Sequence, residues 1–92
     1  MKEEVRILQV DNETGLHCRP SASFVKVANQ FQSDIFVEKN GEKVNGKSII
    51  GLMMLAAEKG SQLQITAIGS DASDALDALA SLDFVTSVEN RA

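Results

Sequence analysis

DIFVEKNGEKVN, residues 34–45, reads as a tight β-hairpin. Ile35 and Val37 alternate with the charged Asp34 and Glu38, and Glu42 to Asn45 resumes an extended run beyond the turn pair Asn40-Gly41. Asn-Gly accepts positive φ at both turn positions, which a two-residue hairpin needs if its strands are to keep their right-handed twist. A hairpin makes at least part of the sheet antiparallel, and the segments on either side have to be read against it.

Downstream, Ser48 is placed to cap a helix from Ile49 to about Ala57, which Gly60 would close. Leu63, Ile65 and Ala67 then alternate with Gln62, Gln64 and Thr66, the period of a half-buried strand. Gly69-Ser70 ends that strand and opens a third helix with an apolar stripe of Ala72, Ala75, Leu76 and Leu79. Asp71 and Asp74 lie near its start, where acidic groups suit the helix dipole.

Upstream, Phe24, Val27, Ala28 and Phe31 recur at the spacing of one helical face, so a first helix is expected from Cys18 to Gln30. The aliphatic run Val5 to Val10 is expected to be the first strand, followed by the turn-like Asp11-Asn12-Glu13-Thr14-Gly15. The order is β-α-β-β-α-β-α. Short connections of this kind favour an α+β two-layer domain, one antiparallel sheet of four strands with three helices on one face. Phe84 to Val88 fits either a frayed helix end or an extended tail.

A chain of 92 residues holds one core, so residues 1–92 are expected to form a single domain. Thirteen acidic against nine basic side chains, with no basic run, argue against nucleic acid as a partner. No stretch approaches the ~20 apolar residues of a membrane span, and MKEEVR does not open like a secretory signal, so no membrane insertion and a cytoplasmic location are expected. The lone Cys18 has no disulfide partner, and with the lone His17 it does not make a metal set at usual spacings. No metal or other cofactor is expected. The triplet Asn12-Glu13-Thr14 matches a glycosylation acceptor, a pattern that matters only in secreted chains.

Chemistry concentrates in Gly15-Leu16-His17-Cys18-Arg19-Pro20, between the first strand and first helix. Amides of a helix's first turn lack internal acceptors, so the backbone of Cys18 and Arg19 suits a phosphate carried by the neighbouring histidine. Pro20 is tolerated there because its missing N–H would have been an orphan. Arg19 can add a charge-assisted contact to phosphoryl oxygens. Imidazole is largely neutral at cytoplasmic pH and so available as a nucleophile. On position alone a capping or surface role for His17 is an equal alternative, and Cys18 could be a reactive thiol or merely a small residue in place of alanine.

The string GLHCRPSASFVKVANQF resembles the active-site segment of the HPr family, usually G-[IL]-H-A-R-P before an amphipathic helix. NGEKVNGKSIIGLMML resembles that family's second signature around a regulatory serine, and GSDASDALDAL is similar to its last helix. The three fall in the family's order over Val5 to about Leu82. The resemblance implies an open-faced β-sandwich and a phosphocarrier of the bacterial sugar phosphotransferase system. It implies that His17 accepts phosphate at Nδ1 from enzyme I and delivers it to an enzyme IIA. Arg19 matches the family's active-site arginine, and Ser48 the serine phosphorylated by a regulatory kinase in many Gram-positive relatives. Partners at Ser48 then extend to a serine kinase/phosphorylase and a transcriptional regulator. Two positions depart from the pattern: Cys18 stands where alanine is usual and Gly46 where a larger apolar residue is common.

The segment Ile49, Ile50, Leu52, Met53, Met54, Leu55 is apolar all round, more than one buried face needs, so its surplus is expected to form a docking surface. The resemblance assigns Leu52 and Leu55 to the core and Ile49, Ile50 and Met53 to partners. A carrier of this kind has no turnover of its own. Two rivals stay open: a nitrogen-related or purely regulatory phosphocarrier of the same fold, and a small ligand-sensing or RNA-binding module of similar element order, of which an RNA reader would display aromatics on the open sheet over a basic surface.

Overall fold

The computed structural model describes residues 2–88. Strands β1 (Glu3–Val10), β2 (Asp34–Lys39), β3 (Glu42–Asn45), β4 (Gln62–Ile68) and β5 (Val85–Val88) alternate with helices α1 (Cys18–Ala28), α2 (Ile49–Met54) and α3 (Ala72–Ala80). One antiparallel sheet runs β3-β2-β4-β1-β5, and all its pairings are antiparallel. The open-faced α+β architecture is the expected one. The sheet, however, has five strands rather than four.

The fifth strand resolves the reading of the tail. Val85, Thr86 and Val88 are β-branched, and Val85 is buried opposite Val10 while Val88 faces Ile7. β1 would otherwise be an edge with unpaired amides and carbonyls, and the returning tail covers its second half.

The hairpin forms as its turn pair demands, with φ of 51° at Asn40 and 86° at Gly41 and Lys39 facing Glu42. Alternation then sorts the two sheet faces. Leu8, Val10, Ile35, Val37, Leu63, Ile65 and Ala67 are buried toward the helices, where they meet Phe24, Leu52, Leu76 and Leu79. The other face carries Gln62, Gln64, Glu38 and Val5. Of the four phenylalanines Phe36 alone lies on that open face, with the Lys43 ammonium 5.2 Å from its ring centre, so the stacking platform of an RNA reader is missing.

Two helices stop earlier than the pattern suggested. α1 ends at Ala28 with Asn29 as its cap, and the chain tightens through bonds from Gln30 to Val27 O and Phe31 to Ala28 O. α2 ends at Met54: Ala56 takes a φ of 50°, and the Lys39 ammonium donates to the carbonyls of Leu55 and Ala56. Gly60 therefore does not close α2. It belongs to the turn into β4, where its amide donates to Val10 O at 2.7 Å.

Gly46 has a steric explanation. Its amide donates to Ile35 O at 2.7 Å, and a Cβ there would lie 2.6 Å from Ile35 Cγ2. The core side chain of Ile35 occupies the space that a larger residue at position 46 would need.

Candidate functional site

His17 is the N-cap of α1, in extended conformation, and its carbonyl accepts the first helical bond, from Ser21 N at 3.0 Å. The amides of Cys18 and Arg19 precede that bond and have no acceptor within the helix. The imidazole makes no capping bond and is exposed.

What holds the backbone before it is a set of loop bonds. Gly15 N donates to Asn12 O, Leu16 N donates to Ala57 O at 2.9 Å, and the Asn12 side-chain amide donates to Thr14 Oγ1 and Gly15 O. Asn12 of the apparent glycosylation triplet is thus spent on its own turn. Ser21, fully buried, donates from Oγ to Leu16 O. Gly15 has a φ of +68°, and a Cβ there would lie 2.2 Å from Ala57 O, so only glycine lets the loop lie against the α2–β4 connection. Across that junction the Lys59 ammonium bonds the Glu13 carboxylate at 2.6 Å, and this bond holds Glu13 below the usual carboxylate range. Both ends are exposed, so the pair adds little stability.

His17 stands between two open cavities. The larger, of about 420 Å³, is lined by Asn12, Thr14, His17, Arg19, Pro20, Ser23, Asp83 and Phe84. The smaller, of about 260 Å³, runs from Thr14, Leu16 and His17 to Met53 and Glu58, linking the histidine to α2. His17 and Arg19, paired on sequence grounds, thus share one cavity. Cys18 is exposed and lines neither. Among the described residues no group of histidine, cysteine or carboxylate side chains could hold a metal ion.

Ser48 caps α2, its Oγ accepting from Gly51 N at 3.0 Å. Leu52 and Leu55 are buried, while Ile49, Ile50 and Met53 are exposed, Ile50 at 72%. Met54, exposed at 66%, adds to this apolar surface and was not singled out on sequence grounds. Ser48 lines neither cavity beside His17; of the helix it caps, Met53 alone reaches the smaller one.

Sequence reasoning missed Asn12, Thr14, Ser23, Asp83 and Phe84 as neighbours of His17. A turn pattern over 11–15 pointed at the first two. Nothing local points at Asp83 and Phe84, which arrive from the far end of the chain.

A family model described as "PTS HPr component phosphorylation site" matches residues 5–83. The chain is 51% identical to the HPr-like protein Crh of Bacillus subtilis (strain 168) over 79 residues, 86% of this chain and 87% of the relative. It is 45% identical to the phosphocarrier protein HPr of Neisseria meningitidis over 82 residues, 89% of each. The crystal structure of a phosphocarrier protein HPr from Bacillus anthracis str. Ames is similar at a TM-score of 0.82 with 50% identity, covering 87% of this chain and 95% of the other. Among the described residues no helix is long and apolar enough to cross a membrane.

Proposed function

The chain belongs to the HPr family of the phosphotransferase system, and from that premise we propose that His17 accepts a phosphoryl group from enzyme I and passes it to a sugar-specific enzyme IIA in the cytoplasm. The observation that carries this reading is the placing of an exposed imidazole without a capping bond at the head of α1, in one cavity with Arg19 and ahead of two amides that have no acceptor within the helix. The lone pair of His17 Nδ1 attacks phosphorus, and the donor's bond to phosphorus breaks with its electron pair returning to the donor. The amides of Cys18 and Arg19 and the Arg19 guanidinium offset the charge on the phosphoryl oxygens. Transfer to the acceptor reverses these steps. Ile49, Ile50 and Met53, with Met54, form the docking surface, and Ser48, phosphorylated by a serine kinase, regulates it from the cap position.

Similarity to Crh supports a second reading, in which the chain is regulatory and acts through Ser48 on a transcriptional regulator. The two part at His17. Incubation with phosphoenolpyruvate and enzyme I, followed by mass measurement at neutral and acid pH, should show one acid-labile phosphate on the wild type and none on His17→Ala. Because the His17 side chain is exposed and makes no capping bond, the variant should keep the wild-type circular dichroism. Phosphate retained by His17→Ala would overturn the carrier reading, and no phosphate on the wild type would leave the regulatory one.

A further inference from the structure

The family match ends at residue 83, yet the cavity around His17 is walled beyond that point by Phe84. The wall is built, not incidental. Phe84 O accepts from Asp11 N at 2.9 Å, Thr86 Oγ1 bonds the Asp11 carboxylate, and Val85 pairs with Val10. Three contacts therefore clamp the α3–β5 corner onto the start of the loop that carries His17. The Phe84 side chain is partly buried against the core, so its ring is held at the cavity's edge. His17 makes no capping hydrogen bond, and the cavity is far larger than a phosphoryl group and open to water.

We propose that Phe84, held at the corner just before β5, is a positioning residue of the phosphoryl site that covers one side of the phosphoimidazole and slows its loss to water. This rests on the reading of His17 as the phosphoryl acceptor. The reaction resisted is hydrolysis: a water oxygen bonds to phosphorus, the P–N bond breaks with its electron pair going to the imidazole, a proton passes from water to the ring, and inorganic phosphate leaves. An apolar wall lowers the number of water positions from which that attack is possible, while the side facing α2 stays open to a protein partner.

The test separates this inference from the carrier reading by loading the phosphate without enzyme I. His17 is the chain's single histidine, so phosphoramidate loads phosphate on one residue, and phosphorus NMR at neutral pH separates the Nδ1 from the Nε2 product and follows the decay of the Nδ1 one. Phe84→Ala should hydrolyse at least about threefold faster than wild type, and Phe84→Leu, which keeps apolar bulk, should stay within about twofold. Ile65→Val, which loosens the core in β4 away from the cavity, should leave the rate unchanged. Equal rates for wild type and Phe84→Ala would overturn the inference, as would equal acceleration by Ile65→Val, which would make the effect one of general loosening. Failure of enzyme I to phosphorylate the wild type would be a separate result, against the carrier reading alone.

Discussion

Arg19 is exposed and, among the described residues, makes no ion pair. In the carrier function proposed above, it acts once a phosphoryl group is on His17. A charge-assisted hydrogen bond contributes about 1.5–3 kcal/mol, so Arg19→Ala should slow transfer to an enzyme IIA by about 10- to 150-fold without abolishing it. The amides of Cys18 and Arg19 survive the substitution. Single-turnover rates measure this, and a wild-type rate would make Arg19 a solvated bystander. At this scale the sequence was legible where chemistry is local: His17, Arg19 and Pro20 are adjacent, and the helix start that organises them is built from the same residues. Gly15 was legible only as a turn residue, because its other reason for being glycine is a carbonyl 42 positions away.

Helix caps carry the next set of consequences. At α2, Ser48 accepts from Gly51 N, a bond an aspartate can also accept, and a negative charge at a helix N-terminus contributes about 0.3–1 kcal/mol. Ser48→Asp should therefore melt no lower than wild type. The same charge lies beside exposed Ile49 and Ile50, and docking must desolvate it, so phosphorylation of His17 by enzyme I should slow. A calorimetric scan and a phosphorylation time course test the two halves. If the rate is untouched, α2 is not the docking surface.

Asp71, expected to serve the dipole of α3, does something less local. It occupies the N-cap position without a capping bond; its carboxylate instead accepts from Gln32 N at 2.8 Å and from Ser33 N and Oγ, tying α3 to the α1–β2 turn. The bond from Ser33 Oγ, followed by that from Gln32, holds this carboxyl below the ordinary aspartate value of 3.8. A depressed folded pKa means that the clamp contributes its full stability above the unfolded value and loses it as pH falls through the folded one. Asp71→Asn should thus melt lower than wild type at neutral pH, with the gap closing only below the ordinary carboxylate range. Tm measured from pH 7 downward checks this, and a gap independent of pH would remove the charge from the explanation.

Over the whole molecule the strand order puts β4 between β1 and β2, so its amides are paired on both sides, while β3 and β5 are edges of four residues each. Native-state hydrogen exchange should be slowest in β4 and fastest in β3 and β5. Val85 is the one buried side chain of β5, so Val85→Ala should cost about 1.5–3 kcal/mol and raise exchange along β5 and the Val10 end of β1 before it reaches β4. Uniform acceleration across the sheet would mean that β5 is no separate unit of stability.

What a window of a dozen residues contains was enough for the hairpin at Asn40-Gly41, the stripe Phe24, Val27, Ala28, Phe31, the alternation in β4, the cap at Ser48 and the histidine at the head of α1. Propensity, period and capping act within a turn or two of chain, and those features depend on nothing else. The fifth strand, the early stop of α2, the clamp by Asp71 and the place of Phe84 beside His17 depend on partners far away in sequence: the free edge of β1, the Lys39 ammonium, the Ser33 turn and the Asp11 amide. Such contacts exist only once the sheet has brought those partners within hydrogen-bonding range, so tertiary packing decided them.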